Sequence, residues 1–156
     1  MKKFEERSRM KPYELISHTA DIGLKVNGKT LKELFENAAK GMFEIITGLS
    51  NLSNLTRLEK KGLEKTIEVK KEVEDFEELL VDWLSELLYI VNKEHIYFNG
   101  FKVVKLDNSG IIGKAKGSKI GPRELTLQTE IKAVTFHGLK IEENTQGFSC
   151  SIIFDV

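Results

Sequence analysis

The sequence predicts an α+β fold in which mostly antiparallel β-sheet packs with two main helices. Two segments begin with a capping box and continue with apolar residues at helical spacing. Short alternating segments, typical of half-buried strands, surround them. After the second helix, Gly, Asn and Asp punctuate the chain in the way that hairpins require. The order is strand, helix, strand, helix and then a β meander, which favours this fold class.

Length and composition indicate one globular domain over residues 1–156, with the charged residues 1–11 forming a loose N-terminal tail. The 24 basic and 24 acidic residues cancel, so a whole-surface basic field for nucleic acid is excluded. Cys150 is the single cysteine, which rules out an internal disulfide and suits a reducing cytoplasm. We expect no membrane partner, because neither a secretory signal nor an apolar run of ~20 residues is present.

The first elements follow from local patterns. YELI at 13–16 predicts a short strand, and IGLKV at 22–26 predicts a half-buried strand because its apolar residues alternate. Thr30 and Glu33 then form a capping box, which starts a helix with an apolar stripe. Gly48 is a plausible end for this helix.

The second half repeats the pattern and then becomes almost wholly β. Residues 63–73 alternate imperfectly and predict a strand, and Asp75 with Glu78 forms the second capping box. The helix that follows is strongly apolar on one broad face and should be central to the core. The last segment, GFSCSIIFDV, alternates so that Cys150 should be a buried small hydrophobic residue.

The stretch HTADIGL at 18–24 raises the question of a metal site. Asp21 should point to the face opposite the apolar residues of its strand, and the last strand ends with Asp155 next to the α-carboxylate of Val156. Hard divalent cations bind such oxygens. Two unit charges 4 Å apart repel by ~4 kcal/mol at an effective dielectric near 20, so a cation or a lysine would have to neutralise this cluster. From the residues alone, a turn-forming aspartate beside a surface His18 remains the commoner interpretation.

A second motif, EIKAVTFHGL, contains Lys132 among mostly apolar neighbours. Such a lysine either needs a carboxylate partner or extends to solvent from an edge strand, and the residues leave both possibilities open. His137 follows at the predicted strand end and, taken alone, is more often structural than a ligand.

Five segments now occur in an order that closely resembles the archease family, over residues 13–156: HTADIGL, TLKELFENAAKGMFEIITG, DFEELLVDWLSELLYI, EIKAVTFHGLKIE and the final FDV. The resemblance implies a protein cofactor that is not itself an enzyme. Archeases assist the RtcB-type RNA ligase, which joins tRNA exon halves and other RNAs that carry 2′,3′-cyclic phosphate ends. They promote guanylylation of the ligase from GTP and allow repeated turnover, so RNA would be contacted only through the ligase.

The resemblance also implies site residues. The family's metal site corresponds to Asp21, Asp155 and Val156, with Ca²⁺ as the usual metal and Mn²⁺ or Mg²⁺ as other candidates. Lys132 matches a further functional position of the family, and His18 and His137 match its motifs as positions whose roles are open. The strand that follows Asp21 and the last strand should therefore meet at one end of the sheet.

Two alternatives of different classes remain at this point. A small metal-dependent phosphoester hydrolase could use Asp21, His18, His137 and Asp155 directly. A chaperone or RNA-binding module is the other alternative, and the balanced charge counts against direct RNA affinity.

Overall fold

A computed structural model describes residues 11–17, 21–48, 62–121 and 129–156. These residues form two helices, α1 (Leu31–Thr47) and α2 (Phe76–Glu94). They also form eight strands: β1 (Tyr13–Ser17), β2 (Ile22–Gly28), β3 (Leu63–Lys70), β4 (Ile96–Asp107), β5 (Gly110–Lys119), β6 (Ala133–Thr135), β7 (Glu142–Asn144) and β8 (Gly147–Asp155). The α+β class and the predicted order of elements are confirmed.

Both helices begin at their capping boxes. The Thr30 hydroxyl accepts a hydrogen bond from the Glu33 backbone N–H at 3.1 Å, and the Asp75 carboxylate accepts one from the Glu78 N–H at 2.9 Å. Each cap satisfies a backbone donor that the first helical turn leaves without a partner. α2 ends at His95, which adopts a left-handed conformation with φ 55°.

The strands form two antiparallel sheets. One has five strands in the order β1-β2-β8-β6, with β7 also paired to β8, and the other has three strands in the order β3-β5-β4. The predicted meander is therefore divided: β4 and β5 pair with β3, whereas β6, β7 and β8 belong to the five-stranded sheet. This division places the last strand next to an early one.

The helices join the two sheets through a shared core. α1 packs against β2 and β4, and α2 packs against β3, β5 and β6. Trp83 of α2 is fully buried, and its indole N–H donates to the carbonyl of Phe35 on α1 at 3.1 Å. Beside this contact, Phe43, Phe98 and Phe101 form an aromatic cluster with ring centroids 5.5 to 6.2 Å apart.

The side chains of β8 point alternately to the helix-facing side and to the outer side of the sheet. Cys150, Ile152 and Phe154 are buried in the core, whereas Ser151 and Asp155 are exposed. The predicted burial of Cys150 is confirmed, and this burial raises the pKa of its thiol to about 12. The outer side of β8 therefore carries its polar residues and ends in a carboxylate.

Candidate functional site

The candidate site lies where β2 begins and β8 ends. The last register pair between these antiparallel strands is Ile22 opposite Phe154, and one further step places Asp21 opposite Asp155. Directly opposite residues of an antiparallel pair have Cβ atoms about 4.5–5.5 Å apart. Asp21 is half-buried and Asp155 is exposed. The expected meeting of the strand after Asp21 with the last strand is confirmed; the ligand set itself stays a prediction.

β6 brings a third segment to the same end of the sheet from the other side of β8. Ala133 lies opposite Asp155, and the backbone N–H of Lys132 donates to the Asp155 carbonyl at 2.7 Å. Two residues on, the Thr135 hydroxyl donates to the carbonyl of Ile153 at 2.9 Å. Both ends of β6 are thus fixed to β8, and the backbone around Lys132 is held against the last residues of the chain.

The Lys132 side chain is exposed, and it precedes a strand that pairs only with β8 among the described residues. It therefore incurs no burial penalty and needs no carboxylate to compensate one. Alternation places Lys132 on the same face as the buried Val134, while Ala133 shares the outer face with Asp155. Lys132 thus borders the carboxylate pair from the helix-facing side of the sheet.

The remaining predicted residues have different positions. Val156 is partly buried and packs against the core. His137 is exposed in the turn after β6, and its backbone N–H donates to the Thr135 hydroxyl at 3.3 Å. Because β6 runs antiparallel to β8, the chain carries His137 away from Asp155. His18 lies outside the described residues.

Metal-binding side chains are sparse in the described ranges. No group of three or more His, Cys, Asp or Glu side chains there could hold a metal ion. The predicted metal site is not such a group, because only two of its ligands, the aspartates, are side chains of these types. Its third predicted ligand is the carboxylate of Val156. All of its donors are oxygens, which fits a hard cation such as Ca²⁺.

An apolar feature beside the carboxylates was missed by the sequence interpretation. A Cβ built on Gly23 would lie 3.3 Å from Ile16 Cβ and 3.4 Å from Ile153 Cδ1, so the two isoleucines flank this glycine on either side. The sequence predicts that Ile16 belongs to a short strand, YELI, but the pattern of this strand does not show which of its side chains are exposed. The signal available was the glycine in IGLKV, on the same face as Asp21.

The fold and the order of these motifs define one class of protein. The family model described as "Archease protein family (MTH1598/TM1083)" matches residues 13–156, and this chain belongs to the archease family. No helix among the described residues combines the length and the apolar character that crossing a membrane requires.

Curated relatives and solved structures agree. The chain is 38% identical over 153 residues to protein archease of Methanosarcina barkeri, covering 96% of this chain and 99% of the relative. It is 38% identical over 141 residues to protein archease of Pyrococcus furiosus, covering 88% and 93%. The solution structure of Methanobacterium thermoautotrophicum protein 1598 superposes with a TM-score of 0.75 at 37% identity, covering 94% of this chain and 100% of that one. A Thermotoga maritima archease, described as a possible chaperone, shares the fold with a TM-score of 0.56 at 23% identity, covering 95% and 98%.

Proposed function

We propose that this protein is a non-catalytic activator of an RtcB-type RNA ligase in the cytoplasm, acting in tRNA splicing and RNA repair. It promotes guanylylation of the ligase and multiple turnover. Membership in the archease family over residues 13–156 supports the proposal. The observation that carries it is the register of β2, β6 and β8, in which Asp21 and Asp155 face each other beside residue 132. RNA is contacted only through the ligase, consistent with a formal net charge of zero.

The proposed metal site consists of Asp21, Asp155 and the carboxylate of Val156, with Ca²⁺ as the first candidate and Mn²⁺ or Mg²⁺ as the others. The two aspartates are opposite each other in register, so their charges repel. Their oxygens would hold a divalent cation, whose positive charge would offset this repulsion and attract phosphate oxygens. The chain's own part is to hold the backbones of both aspartates in place, Asp21 just before β2 and Asp155 at the end of β8.

The carboxylate end of the sheet is the part of the protein that we propose enters the ligase active site. There it helps to position the nucleotide for attack by a histidine of the ligase. Lys132 borders this end from the helix-facing side of the sheet. Its side chain is exposed, so its ammonium group can contact a phosphate there. His18 and His137 are retained as motif positions whose contacts are open.

The direct test is a multiple-turnover joining assay with the ligase of the same organism, GTP, a divalent metal and RNA that carries a 2′,3′-cyclic phosphate end. The wild-type protein should raise turnover, and Asp21→Ala and Asp155→Ala should lose most of that increase. Glu143→Ala is the matched control, because this exposed carboxylate belongs to the same sheet but lies opposite Phe148 at the other end of β8. Unchanged turnover with both aspartate variants would remove the proposed role of the carboxylates.

The same protein preparation tests the hydrolase alternative. Incubated alone with phosphoesters or nucleotides and a divalent metal, it should release no product above background. Metal-dependent hydrolysis that disappears in Asp21→Ala would favour the hydrolase over the activator.

Metal binding can be measured without the ligase. At a Ca²⁺ concentration of about 100 times Kd, binding stabilises the folded state by about 2.7 kcal/mol, which raises Tm by roughly 5–11 °C in a domain of this size. Asp155→Ala should abolish this shift, and a Gly-Ser extension after Val156 should reduce it by removing the terminal carboxylate. An identical shift in wild type and Asp155→Ala would refute the site.

A further inference from the structure

We propose that a docking strip for the ligase lies beside the carboxylate pair, formed by Ile16, Gly23 and Ile153 on the outer face of the five-stranded sheet. The inference rests on the proposed function and assigns to it a binding surface. The strip is separate from the metal site in its chemistry, because it is apolar and contains no titratable group.

The registers of three strands place the strip next to the carboxylates. Ile16 of β1 lies opposite Gly23 of β2, and Gly23 lies opposite Ile153 of β8. Because alternate residues of a strand share a face, this row is adjacent to the row of Asp21 and Asp155 on the same side of the sheet. The two rows are roughly 7 Å apart along the strands, which is two residues at 3.3–3.4 Å each.

The strip is apolar and accessible. The two isoleucine side chains flank Gly23. Because Gly23 has no side chain, nothing projects between them. Ile16 is 39% exposed, and Ile153 is partly buried. β1 pairs only with β2 among the described residues, so a partner can also approach from the edge of the sheet. Single exposed apolar residues are ordinary on protein surfaces, and contiguity with the carboxylate row is what distinguishes this group.

The charges around the strip indicate what it contacts. On one side it is bordered by Asp21 and Asp155, and on the other by the register pair of Glu14 and Lys25. The strip is apolar, and the neighbouring row of Asp21 and Asp155 is anionic. A partner that fits both has a cationic pocket with apolar residues at its rim. The nucleotide pocket of the proposed ligase would supply the cationic part, because the triphosphate of GTP is polyanionic. Apolar contact there excludes water from the neighbouring charged contact and so strengthens it. A protein surface is favoured over free RNA because the formal net charge of this protein is zero.

The test is titration calorimetry between the full-length protein and the ligase, with Ile16→Asp as the main variant. Val104→Asp is the matched control, because Val104 is a β-branched residue, 46% exposed, on an edge strand of the other sheet. Ile16→Asp should raise Kd at least tenfold, and Val104→Asp should change it less than twofold. Ile16→Thr keeps a β-branched residue in the strand and should raise Kd about threefold, so the result does not depend on the aspartate variant folding well. Equal affinities for the Ile16 and Val104 variants would overturn the inference.

Binding and turnover separate this inference from the proposed function. Ile16→Asp should be rescued at high protein concentration and reach the wild-type turnover, whereas Asp155→Ala should bind the ligase but lower the turnover that is reached. If Ile16→Asp binds normally while the aspartate variants lose activation, the docking strip is wrong and the proposed function stands. If Ile16→Asp instead weakens binding of free RNA by the protein alone, the strip contacts RNA and the inference fails.

Discussion

Gly113 of β5 lies directly against the central tryptophan, and replacing it with alanine tests how tightly the core is packed. A Cβ at this position would lie 2.6 Å from Cη2 and 2.9 Å from Cζ3 of Trp83. Carbon atoms that are not bonded approach to about 3.5–4.0 Å, so the indole ring would have to move by about 1 Å. The ring is fully buried, and its N–H is already committed to the Phe35 carbonyl at 3.1 Å.

The cost can be estimated from these contacts. Overpacking a well-packed core by one methyl group costs about 1–3 kcal/mol, and weakening the indole hydrogen bond adds up to about 1 kcal/mol. We therefore expect Gly113→Ala to lower the free energy of unfolding by roughly 1–4 kcal/mol. Near Tm this corresponds to a decrease of about 2–16 °C. Urea unfolding gives the free energy, and because Trp83 is the only tryptophan, its fluorescence reports on the perturbed site.

Gly100→Ala is the matched control on the neighbouring strand, β4. The nearest atom to a Cβ on Gly100 is the Cβ of Lys116 at 3.7 Å, which is an ordinary contact. This variant should stay within about 0.5 kcal/mol of wild type. If Gly113→Ala proves as stable as Gly100→Ala, the reasoning that Trp83 has no room to move is refuted.

Three further predictions concern other parts of the molecule. Burial raises the pKa of the Cys150 thiol from its usual 9.0 to about 12, so the stability that the protonated thiol contributes should be lost as pH rises from 9.0 to about 12. Urea unfolding across this pH range measures the loss, and Cys150→Ala should not show it. Tyr13→Phe removes the hydroxyl that donates a hydrogen bond to the buried Glu44 carboxylate, and it should cost about 1–3 kcal/mol in urea unfolding. A cost near zero would contradict this account. Thr30→Ala removes the cap that the Glu33 N–H binds and should cost about 1 kcal/mol by the same measurement, with Thr30→Ser retaining most of the stability.

The helices could be predicted from sequence because their signals are local. Each capping box lies within four residues of the helix start, and the apolar stripes follow the helical period. Strand pairing was harder to predict from the sequence, because it depends on residues far apart in the chain. The separation of β4 and β5 from β6, β7 and β8 into another sheet has no local signal, because alternation and turn residues do not specify which strands pair.

The candidate site was partly predictable for the same reason. Asp21 and Asp155 each adjoin a clear alternating strand, so their faces could be read directly. Lys132 was harder, because the strand beside it has three residues and begins one position later, at Ala133. The apolar strip was missed because exposure of Ile16 depends on β1 lying at the edge of the described sheet, and edge position is a tertiary property.

The position of β8 has a consequence for how the molecule folds during synthesis. β8 separates β2 from β6, and it leaves the ribosome after every other described element. The hairpin of β1 and β2 must therefore wait, with one edge open, for a partner more than 100 residues away in the chain, and such distant pairings form slowly. The three-stranded sheet and both helices can assemble earlier from nearer contacts. The end of the sheet where Asp21 lies opposite Asp155 should consequently form last in a newly made molecule.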